Sequence, residues 1–184
     1  MRLVARDGVS AATTRRIAAE AGITPGIVHY VYGSLEELLR DVALAATQEL
    51  IDAVDLNPSP GGDLKQILRG ALESIWHIVE SRPDAQLALY ELTTYCLRNP
   101  GTVEVATQQY QGYQQACRAY LTAIEESCQV RFDADPDVLA RLLMTVIDGG
   151  MLAWLADRDT AVTFGAFDLF AAYLAGLAVP SART

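Results

Sequence analysis

Side chains that carry out chemistry are scarce in this sequence. Its two histidines, His29 and His77, lie far apart, and no His, Cys and carboxylate groups gather at metal-ligand spacing. There is no glycine loop to cradle a phosphate and no Ser-His-Asp arrangement. Catalysis, a metal site and a resident cofactor are therefore not expected. The three cysteines, Cys96, Cys117 and Cys128, are odd in number and lack CxxC spacing, so they read as reduced thiols of a cytoplasmic protein. No apolar run reaches the roughly 18 residues that cross a bilayer. The longest, Leu142 to Ala156, is broken by Asp148 and Gly149-Gly150. Arg15 and Arg16 interrupt the N-terminus before a secretory signal could develop. Neither a membrane nor export is expected. Strand signals are nearly absent too, with no Asn-Gly or Asp-Gly hairpin and no sustained alternation of apolar and polar residues.

What is present is apolar material and helical periodicity. Hydrophobic residues make up 51% of the chain, enough for a sizeable core. Acidic groups outnumber basic ones 23 to 14, for a net charge of −9. The imbalance is uneven along the chain. Residues 1–34 carry four arginines against Asp7 and Glu20, a net +2, which leaves 10 basic and 21 acidic groups, a net −11, for the rest. A mildly basic head on an acidic body suits a protein that meets phosphates with one end.

Punctuation residues divide the chain into nine expected helices, an all-α fold. The first ends at Asp7-Gly8, the second runs from Thr14 to Ala21, and the third from Pro25 to about Tyr32. Ser34 caps the fourth, with Glu36 and Glu37 in its first turn where acids favour the helix dipole. Asn57-Pro58-Ser59-Pro60-Gly61-Gly62 ends it. Asp63 then caps a helix to about Ser81, and Pro83 opens one closed by Asn99-Pro100-Gly101. The last three cover about Thr102–Ser127, Pro136–Ala156, and Thr163 to a point before Pro180. The expected division falls within the fourth helix, which joins a head at 1–44 to a body at 45–184.

Residues Ile17 to Val31 satisfy the constraints of a helix-turn-helix. Ala18 is the small residue where two helices cross, and Gly22 tolerates the left-handed turn between them. Ile17, Ala21, Ile23, Val28 and Val31 are expected to face inward. Thr24 caps the second helix of the pair and Pro25 takes its first position. The outward side offers Thr24, Gly26, Ile27, His29 and Tyr30, small, flat or hydrogen-bonding groups without a long acid, which can enter a major groove about 12 Å wide.

The stretch Gly8-Val9-Ser10-Ala11-Ala12-Thr13-Thr14, Ile17-Ala18, Ala21-Gly22-Ile23-Thr24-Pro25-Gly26 and Tyr32-Gly33-Ser34-Leu35-Glu36-Glu37-Leu38-Leu39 resembles the TetR family of bacterial repressors. The resemblance implies a three-helix head bound to double-stranded operator DNA, a ligand-binding body, and a homodimer formed through the last two helices. It also implies release of a near-palindromic operator by a small-molecule inducer. The candidate DNA-binding residues are Thr13, Thr14, Arg15, Thr24, Pro25, Gly26, His29, Tyr30 and Ser34. Where the family usually has Tyr, Tyr or His, and Lys, this chain has His29, Val31 and Leu35. Fewer phosphate contacts should weaken affinity and flatten its salt dependence. Met1–Arg6 reads as the second half of the family's first helix. The alternative is a helical small-molecule-binding or scaffold protein whose head has weakened or lost DNA binding.

In the body, aromatic and sulfur side chains recur at helical spacing. Core packing is the simpler account of each residue taken singly. Together they suggest a mostly apolar pocket with a few polar anchors, for a small apolar or aromatic ligand. The candidates are Trp76, His77, Tyr90, Thr94, Tyr110, Tyr113, Cys117, Met144, Asp148, Met151 and Trp154, with Glu91 and Tyr95 as further possible anchors. The last two helices are apolar on nearly all sides and so need cover from a partner as well as from their own body. Leu139, Val146, Gly149, Gly150, Phe167, Phe170 and Leu174 are the candidate dimer contacts. The glycine pair, costly inside a helix, points to close approach by another helix.

Overall fold

The computed structural model describes residues 1–53 and 63–181. Among them are nine α-helices: α1 (Arg2–Asp7), α2 (Thr14–Ala21), α3 (Pro25–Val31), α4 (Leu35–Ala53), α5 (Leu64–Ser81), α6 (Pro83–Arg98), α7 (Val103–Cys128), α8 (Pro136–Asp157) and α9 (Thr160–Gly176), with a 3-10 turn at Val9–Ala11. The break expected at Asn57–Gly62 lies outside the described residues. The caps explain most boundaries. Thr13 accepts from the Arg16 N–H at the start of α2, and Asp135 accepts from the N–H groups of Asp137 and Val138 at the start of α8. The ninth helix begins three residues before Thr163, because Asp159 caps it by accepting from the Val162 N–H at 3.0 Å.

Two departures from the sequence reading stand out. A short antiparallel ribbon pairs β1 (Val130–Phe132) with β2 (Ala178–Pro180), Arg131 opposite Val179. Three-residue strands are too short to show alternation, so nothing in the sequence pattern marks them. In addition, the 22-residue α8 is, by length and composition, long and apolar enough to cross a membrane. Asp148 interrupts the apolar run yet barely lowers the mean hydropathy of so long a helix. In the fold α8 packs on α9 and α5.

The chain forms two compact units. One comprises Met1–Leu50 and Arg82–Gly112, the other Ile51–Ser81 and Tyr113–Thr184. The first thus takes in α6 and the start of α7 as well as the head expected at 1–44. Its core gathers Val4, Ala12, Ala18, Val28, Leu38, Leu39 and Ala43 with Ala88, Leu92, Cys96, Val105 and Ala106. The second unit is built around Trp76, with Leu68, Leu72 and Val79 of α5, Leu121 and Ile124 of α7, Leu139, Leu143, Met151 and Trp154 of α8, and Phe167, Phe170 and Leu174 of α9. Tyr120 adds a hydrogen bond from its hydroxyl to the Ile67 carbonyl at 3.3 Å.

Candidate functional site

The turn between α2 and α3 is made by Gly22 at φ 70°, ψ 25°, a left-handed conformation that glycine adopts without strain. The Ile23 N–H reaches back to the Ala18 carbonyl at 3.0 Å, which closes the turn. Ala18 is fully buried at the helix crossing, and Val28 is the buried residue of α3. Three residues expected to face inward do not. Ala21 at the end of α2, Ile23 in the turn and Val31 at the end of α3 are exposed, and the seven-residue α3 buries only Val28. All of the candidate DNA-binding residues except half-buried Thr14 are exposed, and Tyr30 is 91% exposed.

The local hydrogen bonds decide which of these groups remain available. Thr24 takes the N-cap position of α3, but its side chain makes no capping bond. Ser34 accepts from the Glu37 N–H at 3.1 Å while Glu37 accepts from the Gly33 N–H at 2.9 Å, a reciprocal cap that fixes the start of α4. The Ser34 hydroxyl proton is left to donate. Three of the four head arginines are engaged within the head. Arg2 and Arg6 meet Glu20, Arg6 also meets Asp7 at 3.1 Å, and Arg16 pairs with Asp7. The bond from Arg6 holds the Asp7 carboxyl below its usual range, with the Arg16 charge adding to it. Arg15, exposed on α2, has no carboxylate partner among the described residues. It is the head arginine free to meet a phosphate.

The family is decided by the whole length of the chain. Residues 1–42 match the bacterial regulatory proteins of the tetR family, and residues 60–179 match the tetracyclin-repressor-like C-terminal domain. The chain belongs to the TetR family. It is accordingly a DNA-binding transcriptional regulator and not an enzyme. A curated relative, the nicotine-responsive transcriptional repressor HdnoR of Paenarthrobacter nicotinovorans, is 26% identical over 85% of this chain and 80% of its own length. Among solved structures, a transcriptional regulator from Rhodococcus sp. Rha1 superposes with a TM-score of 0.74 at 18% identity, covering 97% of this chain and 94% of that one. The regulator FadR from Bacillus subtilis, in complex with stearoyl-CoA, reaches 0.72 at 14% identity over 92% of both chains.

The candidate ligand residues are divided between the two units of this TetR-family fold. Tyr90, Thr94 and Tyr110 belong to the first unit, the other eight to the second. Thr94 is exposed, in line with the exposed Leu87 and Leu97, because the buried face of α6 is the opposite one, with Ala88, Leu89, Leu92 and Cys96. His77 is also outside any cluster. It follows Trp76 on the outer side of α5, 72% exposed at its side chain, with its Nδ1 3.6 Å from Glu80. Glu91 and Tyr95 lie in the first unit, and Glu91 is used there to accept from the Val9 N–H at 2.7 Å.

The second unit does bring an aromatic group together. Trp76 meets Trp154 edge-on, 4.8 Å between ring centroids, with Phe164 at 5.4 Å and Phe167 at 6.3 Å. Phe164 and Phe167 had not been singled out as members of this group. The Trp154 indole donates to Thr160 Oγ1 at 3.0 Å and lies under the Arg158 guanidinium. The Trp76 indole N–H, wholly buried, has no acceptor among the described residues. Met144 and Met151 are buried, and Tyr113, Cys117 and Asp148 half-buried. Burial pushes the Cys117 thiol up to about 12, so it stays protonated and unreactive at neutral pH.

The candidate dimer contacts need correction. Leu139, Phe167, Phe170 and Leu174 are core residues of their own chain, between 0% and 8% exposed, which leaves them almost no surface to offer a partner. Val146 is half-buried against that core. The glycine pair divides: a Cβ at Gly150 would sit 2.8 Å from the Phe167 ring, whereas one at Gly149 would meet nothing within 4 Å. Close approach of a helix does explain Gly150, but the helix is α9 of the same chain. The apolar surface left open lies elsewhere, with Val138 and Leu152 on α8 and Val162, Leu169 and Tyr173 on α9, each more than half exposed.

Proposed function

We propose that the protein is a ligand-responsive transcriptional repressor that binds a near-palindromic operator as a homodimer and releases it when a small apolar or aromatic inducer enters the C-terminal domain. One observation carries the DNA half of this reading: α3 presents Thr24, Gly26, His29 and Tyr30 to solvent, while Arg15 on the neighbouring helix has no partner inside the head. Repression and a small aromatic effector are supported by the role of the relative, a nicotine-responsive repressor. Homodimerisation is supported by the open apolar stripe of α8 and α9, since a monomer would leave it in water. A second copy of the same face covers it and a two-fold axis follows, so the operator repeats in half-sites spaced by about one helical turn. With that face given to a partner chain, α8 needs no lipid, and the protein works in the cytoplasm. We assign the reading of DNA to residues 1–44 and ligand binding and dimerisation to 45–184.

Selection of bound sequences from random DNA tests this directly. Arg15→Ala is expected to weaken all sequences alike and lower the salt slope by about 1, whereas Tyr30→Ala alters preference at particular bases. Equal losses on every sequence from both variants would contradict that division. The engagement of Arg2, Arg6 and Arg16 within the head favours a second reading, a carrier that no longer holds DNA. It predicts no sequence-specific retention even at low salt.

The ligand half rests on the aromatic group of the second unit, where the buried Trp76 N–H offers a polar anchor among apolar rings. A ligand releases DNA only by binding the released state more tightly. Titrating the protein–operator complex with nicotine and other small aromatic compounds is expected to quench tryptophan fluorescence in step with release. Tyr113→Ala should blunt that response while leaving operator affinity in the absence of compound nearly unchanged, and Trp154→Ala, which also opens a cavity in the core, should blunt it at a cost in stability. Release that persists unaltered in both variants puts the pocket elsewhere.

A further inference from the structure

The seven residues of α3, Pro-Gly-Ile-Val-His-Tyr-Val, include no Arg, Lys, Asn, Gln, Asp or Glu. The side chains that make bidentate contacts to guanine or adenine edges are thus missing from this helix. What the helix presents instead is apolar. Ile23, just before it, and Ile27 and Val31 within it follow one another at four-residue spacing, and all three are exposed, by 39%, 47% and 59%. Ile27 and Val31 form one stripe, because residues four apart stack on the same side of a helix, and Ile23 stands in the turn ahead of the N-cap Thr24. Head stability does not call for the stripe, since Val28 and Ala18 already close the core beneath it. Gly26 precedes Ile27 with nothing nearer than 3.9 Å to where its Cβ would be, so the backbone beside Ile27 can approach a surface closely.

The apolar group that a base pair offers in the major groove is the C5-methyl of thymine. We infer that Ile27 reads a thymine methyl in each operator half-site, so that this protein recognises its operator through methyl positions more than through hydrogen bonds to guanine. The inference deepens the DNA-binding reading above and rests on it. Tyr30, three residues on, is placed to cover the same pair from the side, and Thr24 and His29 remain for hydrogen bonds.

The test uses the full-length protein and the duplex recovered by selection from random DNA. Thymines are replaced one at a time by uracil, which removes the methyl and leaves every hydrogen-bonding group in place. At one position in each half-site the wild-type protein should lose roughly fourfold in affinity, the equivalent of burying one methyl, and about 16-fold when both half-sites are changed. Ile27→Ala should bind the thymine duplex more weakly and show no further loss with uracil at that position. Ile27→Val, which keeps a branched apolar side chain, should retain most of the uracil penalty. Wild-type affinity that stays within twofold at every uracil position, or an undiminished uracil penalty in Ile27→Ala, overturns the inference while leaving DNA binding intact. If selection enriches no sequence at all, the DNA-binding reading fails first, and the inference falls with it.

Discussion

Leu169→Glu should give a folded protein that no longer dimerises and no longer holds operator DNA, whereas Phe167→Ala, two residues earlier on α9, should lose about 3–5 kcal/mol of stability. The contrast comes from the helix's two sides. Phe167 is 2% exposed, packs against Gly150 and Trp76, and leaves a cavity when truncated. Leu169 is 76% exposed and shares its face with Val162 and Tyr173. A glutamate there costs the isolated chain little, within about 0.5 kcal/mol for a surface substitution. In a two-fold interface it appears twice, and each carboxylate would have to be buried without a partner. Sedimentation separates the two outcomes. The wild type should run as a dimer with a melting temperature that rises with protein concentration, and Leu169→Glu as a monomer whose melting temperature does not. A dimeric Leu169→Glu protein would show that α8 and α9 pair by some other surface. Phe167→Glu or Leu174→Glu could not make this distinction, because both place the charge inside the monomer's own core.

How much could be read from residues alone follows from this same pair. Helix boundaries were legible because they are set by local chemistry. Thr13, Asp135 and Pro83 mark starts, and Gly22 marks a turn, whatever packs around them. The helix-turn-helix was legible for the same reason, its geometry being fixed within fifteen residues. The faces of α8 and α9 were not. Both helices are apolar almost all round, so periodicity gives no preferred side, and the largest residues were assigned to the partner when they fill the chain's own core. Gly149 and Gly150 are identical in sequence terms, yet Phe167 lies against one and open space against the other. In α6 the buried stripe is Ala88, Leu89, Leu92 and Cys96, so Leu87, Thr94 and Leu97 face out and Tyr90 lies half-buried. Leucines stand on both sides of this helix, so residue size does not tell which face is buried.

Glu91 shows what a sequence cannot carry at all, a bond between residues 82 positions apart. Its carboxylate was a candidate ligand anchor. In the fold it accepts from the Val9 N–H at 2.7 Å and thereby fastens the turn between α1 and α2 to α6. Gly8 makes the approach possible. It sits at φ 82°, ψ 162°, a conformation open to glycine, and a Cβ there would come 3.2 Å from Glu91 Oε2. The turn leads directly into Thr13, Thr14 and Arg15, so its order bears on how α2 is presented to DNA. Glu91→Ala leaves a partly buried N–H without its charged acceptor and should cost about 1.5–3 kcal/mol. Amide exchange at Val9 should then quicken by roughly 10- to 150-fold, while the core of the second unit keeps its protection. Operator affinity should fall with it, and for all sequences alike, since no base contact is touched. Glu91→Gln, which keeps a carbonyl oxygen in reach of Val9, should recover most of both effects. Gly8→Ala should reproduce the loss from the other side of the contact, through backbone strain. If Glu91→Ala leaves Val9 exchange and operator affinity at wild-type values, the turn is held by the packing of α1 on α6 alone, and the bond is incidental to DNA binding.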